Sequence, residues 1–121
     1  MMSINNVEYA VGKHFLIELI NCSAERLKFV NDVSALFLRA AEESQATILH
    51  HIFHQFEPVG VSGLILIAES HFSIHTWPEK QYAAAGIFTC GAQMNPQRAI
   101  EVIKAGFEAQ ETRVRIVKRG I

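Results

Sequence analysis

The densest group of reactive side chains in this 121-residue sequence is Glu69-Ser70-His71-Phe72-Ser73-Ile74-His75-Thr76-Trp77-Pro78-Glu79. It directly follows the apolar run Val61 to Ala68 and precedes Phe88-Thr89-Cys90-Gly91 by one short segment. A buried strand running into Glu69-Ser70-His71 can hold a serine rigidly at a sheet edge, where its hydroxyl can act on a neighbouring carbonyl. A serine hydrolase is one reading, but the Gly-x-Ser-x-Gly elbow is missing. Closeness of Ser, His and Glu in sequence adds little, because triads are recognised by spatial geometry. A metal site is a second reading, from His50-His51-x-x-His54 and His71-x-x-x-His75. Both segments read as strands, where residues four apart are separated by roughly 13 Å at a rise of ~3.3 Å per residue. Such pairs cannot close on one ion locally, so His50 and His51 read as surface or edge-strand histidines and no metal is expected. Cys90, at a strand end, is either an inert small hydrophobe or a reactive thiol.

These residues need a scaffold. Lys13 to Ile20 is rich in strand formers, and Ser23 stands where it can cap a helix. Leu27, Val30, Val33, Phe37, Ala40 and Ala41 then recur at steps of three and four, predicting one helix that ends near Gln45. Thr47 to Phe56 reads as a strand and Glu57-Pro58-Val59-Gly60 as a turn. Val61 to Ala68, Phe72 to Thr76 and Tyr82 to Thr89 read as further strands. Asn95-Pro96 opens a second helix, because proline suits the first helical position. Ile100, Ile103 and Phe107 give it a buried face. Thr112 to Lys118 closes the chain as a strand with one wet face. Two helices cannot cover both faces of a sheet of about six strands. The expected fold is α+β, a two-layer sandwich with a mostly antiparallel sheet and two helices on one face.

Bulk properties narrow the partners. The length suits a single domain over residues 1–121, with 1–11 as a loose lead-in. The formal net charge is −1 and half the residues are hydrophobic, which does not suit a nucleic-acid-binding face. The basic run Arg113 to Arg119 surrounds Val114, Ile116 and Val117, an alternation that reads as a strand with one wet face. No apolar run approaches the ~20 residues of a membrane span, and the start, Met-Met-Ser-Ile-Asn-Asn, lacks the pattern of a signal peptide. The cytoplasm is the expected location, with Cys22 and Cys90 reduced. A domain this small also gains from a second copy.

The string Glu69-Ser-His-Phe-Ser-Ile-His-Thr-Trp-Pro-Glu79, with Tyr82-Ala-Ala and Phe88-Thr-Cys-Gly91, resembles the short prokaryotic S-adenosylmethionine decarboxylases. Gly12-Lys-His14, Phe53-His-Gln-Phe56 and Gly60-Val-Ser-Gly63 extend the resemblance upstream.

The resemblance implies self-cleavage between Glu69 and Ser70, into residues 1–69 and 70–121. Ser70 would attack the Glu69 carbonyl, on a backbone held strained or polarised. Ser62 would help bind the displaced oxygen, and His75 would take the Ser70 Cα proton. Ser70 would end as a covalent pyruvoyl group, the cofactor, which forms a Schiff base with the substrate amine and serves as the electron sink. Cys90 would return a proton, a role thiols can fill near neutral pH. Phe56 would face the adenine or the sulfonium, as an aromatic face attracts a cation, and Glu79 would take ribose hydroxyls or the ammonium. His71 belongs to the pattern without an assigned role. The family also implies a homodimer with active sites near its interface, acting on a small molecule in polyamine (spermidine) synthesis.

The sequence departs from the family pattern at Gly86, where an acidic residue usually stands, and at Lys80-Gln81. The loss removes a polar acceptor and opens space beside Cys90. The alternatives are therefore a pyruvoyl-dependent decarboxylase of ornithine or arginine, or a relative that binds or regulates without cleaving itself.

Overall fold

A computed structural model describes residues 11–90 and 93–120. Most of the expected lead-in and Gly91 lie outside them. The strands are β1 (Gly12–Ile20), β2 (Ile48–Gln55), β3 (Val61–Ile67), β4 (Ser70–Trp77), β5 (Tyr82–Thr89) and β6 (Glu111–Arg119). They form one sheet in the order β2-β3-β4-β5-β1-β6, and every neighbouring pair is antiparallel. The α+β sandwich expected from the sequence is the observed fold.

Three helices pack on one face: α1 (Ala24–Leu27), α2 (Val30–Glu43) and α3 (Pro96–Gly106). The single helix expected up to Gln45 is therefore two. Phe29 is extended, at φ −121° and ψ 145°, and Gln55 holds the break. Its Oε1 accepts from Val30 N at 2.6 Å and its Nε2 donates to Lys28 O at 2.9 Å. No local apolar period could reveal that contact, which comes from β2. Ser23 precedes α1 but makes no side-chain cap bond. Asn95 does cap α3, accepting from Arg98 N at 3.2 Å.

The core lies between the helices and the inward-facing rows of the sheet. Leu27, Val33, Phe37, Ala40 and Ala41 bury the predicted stripe, and Ala99, Val102, Ile103 and Phe107 bury the face of α3 and its end. They meet Phe15, Ile17, Leu19, Val61, Ile65, Phe72, Ile74 and Ile87. Phe37 stands edge-on to Phe72, with ring centroids 5.7 Å apart. Burying such residues contributes about 1.5–3 kcal/mol each. Phe53 lies across the sheet over Gly63, where an added Cβ would meet its ring at 2.1 Å. Glycine permits that close approach.

Among the described residues, the other face of the sheet carries no helix. Leu16, Ile52, Leu64, Leu66 and Trp77 stand exposed on it. The β6 edge corrects the expectation of one wet face. Val114 and Ile116 share the inner row with Ile17 and Phe15, yet are 40% and 53% exposed. The helix layer does not cover the edge strand.

Candidate active site

The β3–β4 hairpin turns through Ala68 and Glu69, and Ile67 pairs with Ser70. Ser70, the first residue of β4, has φ +149°. Non-glycine residues rarely adopt this backbone, and doing so costs of order 1–3 kcal/mol. The contacts around it hold it there. Thr47 takes the Glu69 carboxylate with its N–H, at 3.1 Å, and its hydroxyl, at 3.2 Å. The Thr47 carbonyl accepts from Ala68 N at 2.9 Å. From the other side, the Glu69 carbonyl accepts the Cys90 N–H at 3.0 Å and the Cys90 thiol at 3.1 Å. The Ser70 Oγ lies 3.6 Å from the same Sγ.

Glu69, Ser70 and Cys90 are thus brought together. Two donors polarise the carbonyl that Ser70 would attack, the arrangement that stabilises charge developing on an acyl oxygen. Sequence reading foresaw a strained or polarised bond here. It missed that Cys90 does the polarising and that Thr47 grips Glu69. Cys90 pairs across the sheet with the turn, and that register is invisible without the fold.

Ser62 and His75 form a second group. They are register partners on β3 and β4, and Ser62 Oγ lies 2.7 Å from His75 Nδ1. Beside them is a cleft of about 290 Å³ lined by Phe56, Val59, Gly60, Ser62, His75, Thr76, Trp77 and Glu79. Both residues expected to bind substrate, Phe56 and Glu79, share it. Trp77 is a further aromatic wall that sequence reading passed over, although its place in Trp77-Pro78-Glu79 marked it. It stacks on Tyr82, with centroids 5.5 Å apart at 26°. The Tyr82 hydroxyl donates to Glu18, and burial followed by that carboxylate pushes its pKa up to about 12.

The two groups lie at opposite ends of the same strands. Ser70 and His75 are five residues apart on β4, which is roughly 16 Å at ~3.3 Å per residue. Within one chain, His75 cannot reach the Ser70 Cα proton.

Gly86 pairs with Ser73 on β4 and Leu16 on β1, in the middle of the helix-free face. An added Cβ there would meet Ser73 Oγ at 2.8 Å and His14 Nε2 at 3.4 Å. His14 and Ser73 therefore border the space that a side chain at this position would take. The two thiols differ in setting: Cys22 is buried, which raises its pKa to about 11, while Cys90 is exposed.

Comparison with known proteins gives the chain its family. A family model described as S-adenosylmethionine decarboxylase matches residues 13–120. The chain is 46% identical over 113 residues to the S-adenosylmethionine decarboxylase proenzyme of Thermodesulfovibrio yellowstonii, spanning 93% of this chain and 84% of that one. It is 42% identical over 112 residues to the Moorella thermoacetica proenzyme, spanning 93% and 90%. The crystal structure of the adenosylmethionine decarboxylase from Aquifex aeolicus superposes with a TM-score of 0.86 at 32% identity, covering 93% of this chain and 92% of that one. With matches of this extent, the chain belongs to the S-adenosylmethionine decarboxylase family.

Proposed function

We propose that the chain cleaves itself between Glu69 and Ser70 and then decarboxylates S-adenosylmethionine, supplying the aminopropyl donor of spermidine synthesis. The observation that carries this reading is the Glu69 carbonyl, held by two Cys90 donors beside a serine at φ +149°. Attack of Ser70 Oγ on that carbonyl breaks the peptide C–N bond and forms an ester. Loss of the Ser70 Cα proton to the His75 of a second copy then expels the Glu69 carboxylate and leaves a dehydroalanine. Water replaces its nitrogen, which departs as ammonia, and residue 70 becomes pyruvoyl. Residues 1–69 and 70–121 remain as two chains. The pyruvoyl group supplies a ketone that captures the substrate amine and accepts the electrons released with carbon dioxide.

The chain's own residues do the remaining work. The Cys90 thiol, beside residue 70, returns a proton after carbon dioxide leaves. Phe56 and Trp77 offer aromatic faces to an adenine ring or a sulfonium, and Glu79 offers a carboxylate to ribose hydroxyls. This cleft suits a nucleoside sulfonium, whose adenine ring can lie against Phe56 or Trp77, an aromatic–aromatic contact that ornithine and arginine cannot supply.

The separation of Ser70 from Ser62 and His75 supports a homodimer. Two copies can pack their helix-free faces together and cover Leu16, Ile52, Leu64, Leu66 and Trp77. A two-fold axis lying between the faces and across the strands reverses strand direction while keeping strand order. It sets the Ser62–His75 end of one copy over the Ser70 end of the other, so each active site draws on both chains. The cytoplasm, where thiols stay reduced, fits an exposed Cys90.

Denaturing mass spectrometry tests the cleavage. The expected result is two fragments, the second blocked by pyruvoyl at position 70. A chain that stays at 13.6 kDa under every condition would overturn the reading. Carbon dioxide release from S-adenosylmethionine, ornithine and arginine, measured side by side, tests the substrate.

A further inference from the structure

On the helix-free face, His14, Phe88 and His71 stand in one row on β1, β5 and β4. Strands two apart are roughly 9.6 Å from each other, at ~4.8 Å per step. The His14 and His71 ring centroids are nevertheless only 6.0 Å apart. Both rings lean inward over β5, and they meet the Phe88 ring at 5.5 and 5.9 Å. Arg119 closes another side, its guanidinium carbon 5.8 Å from the Phe88 centroid. Two imidazoles and a guanidinium thus converge on one ring.

Among the described residues, no carboxylate balances them. The Glu18 carboxylate is engaged by Tyr82, and that of Glu69 by Thr47. The cluster also abuts the cleavage point, since His71 follows Ser70 and Phe88 precedes Cys90 by two residues. A substrate held by its amine at residue 70 would therefore sit next to the start of this row, one register position from His71 and Phe88.

We infer that His14, His71 and Arg119 form the recess that receives the substrate's α-carboxylate. The inference rests on the decarboxylase reading and adds how that reading's substrate is oriented. Burial, then the neighbouring His71 and Arg119, lowers the His14 pKa, so this ring serves as a neutral N–H donor. That suits a decarboxylase. Three full positive charges would hold the ground-state carboxylate more tightly than the transition state, in which charge is leaving that group; a neutral His14 beside Arg119 lessens that excess.

The test compares two ligands that differ only in the carboxylate: S-adenosylmethionine, read as KM, and its decarboxylated product, read as an inhibition constant. It uses self-cleaved enzyme carrying His14→Phe, which keeps a flat ring, or Arg119→Gln, which changes an exposed edge residue. We expect KM to rise about tenfold or more, the weight of a lost hydrogen bond to a charged group, while the product's constant moves less than about twofold. His14→Gln, which restores an N–H donor, should recover part of the loss. The inference is overturned if both constants rise together, or if neither moves. Wild-type cleavage and carbon dioxide release are scored separately, so a failed recess leaves the decarboxylase reading standing.

Discussion

Cys90 holds the carbonyl of Glu69 twice, through its backbone N–H at 3.0 Å and its thiol at 3.1 Å. The same sulfur lies 3.6 Å from the Ser70 hydroxyl. One residue thus stands beside both groups that the proposed cleavage would join, the Glu69 carbonyl and the Ser70 hydroxyl.

The two contacts have separable consequences. Cys90→Ala keeps the N–H and loses only the thiol, a weak donor. Cleavage should slow by about tenfold, well short of the ~10²–10³ that a strong donor to an oxyanion is worth. Turnover of the cleaved enzyme should fall by ~10²–10⁴, the range for a lost general acid. Fragment formation over time and carbon dioxide release measure the two effects. Equal turnover in Cys90→Ala and wild type would remove the thiol from the reaction.

The backbone at Ser70 makes a prediction about stability. Ser70→Ala and Ser70→Gly both remove the nucleophile, so neither chain should cleave. At φ +149° glycine relieves a strain that alanine keeps, of order 1–3 kcal/mol. Glycine's greater freedom in the unfolded chain returns part of this, roughly 0.5–1 kcal/mol. Ser70→Gly should therefore be the more stable of the two by about 1 kcal/mol in urea unfolding. A less stable glycine variant would show that the turn stores no strain at this residue.

Alternation and period carried much of the fold. The inward rows of β1, β3 and β5 are apolar at every second residue, and Val33 to Ala41 repeats at helical steps, so sheet and helix layer were both legible. The break at Phe29 was not, because Gln55 makes it from a distant strand. Nor was the full strand at Ser70, since the serine enters β4 with a backbone that residue types do not announce. At the site, the string from Glu69 to Glu79 pointed to residues that the structure gathers in two groups, one at Ser70 and one at Ser62 and His75. Its division into two groups depends on strand geometry: five residues on β4 put Ser70 and His75 at opposite ends. The Cys90–Glu69 contact depends on the register of β4 against β5, which sets Thr89 opposite Ser70.

Tyr82 offers a pH test of the cleft wall. Its pKa is raised from the usual 10 to about 12, so between those values the folded chain keeps a proton that the unfolded chain has lost. The contribution is fully present below pH 10 and fades as pH rises through 12. Tyr82→Phe should therefore lose less stability than wild type across that window. Glu18→Gln, which removes the carboxylate acceptor, should move the Tyr82 transition, followed by ultraviolet absorbance, back toward 10. An unchanged Tyr82 midpoint would leave burial as the sole cause.

The proposed division of the site between two copies is open to a complementation test. Ser70→Ala and His75→Ala chains, each expressed alone, should both stay whole. Co-expressed with distinguishable tags, they form mixed dimers with one complete site: Ser70 from the His75→Ala chain, and His75 from the Ser70→Ala chain. The His75→Ala chain should then be cleaved, and the Ser70→Ala chain never. With random pairing about half of all dimers are mixed, so close to half of the His75→Ala chains should mature. If cleavage occurred within one chain, neither variant could be rescued, since no single chain would hold both residues. Intact mass measurement of the tagged chains separates these outcomes directly. A rescued His75→Ala chain would mean that the roughly 16 Å between Ser70 and His75 on β4 is bridged by pairing the helix-free faces.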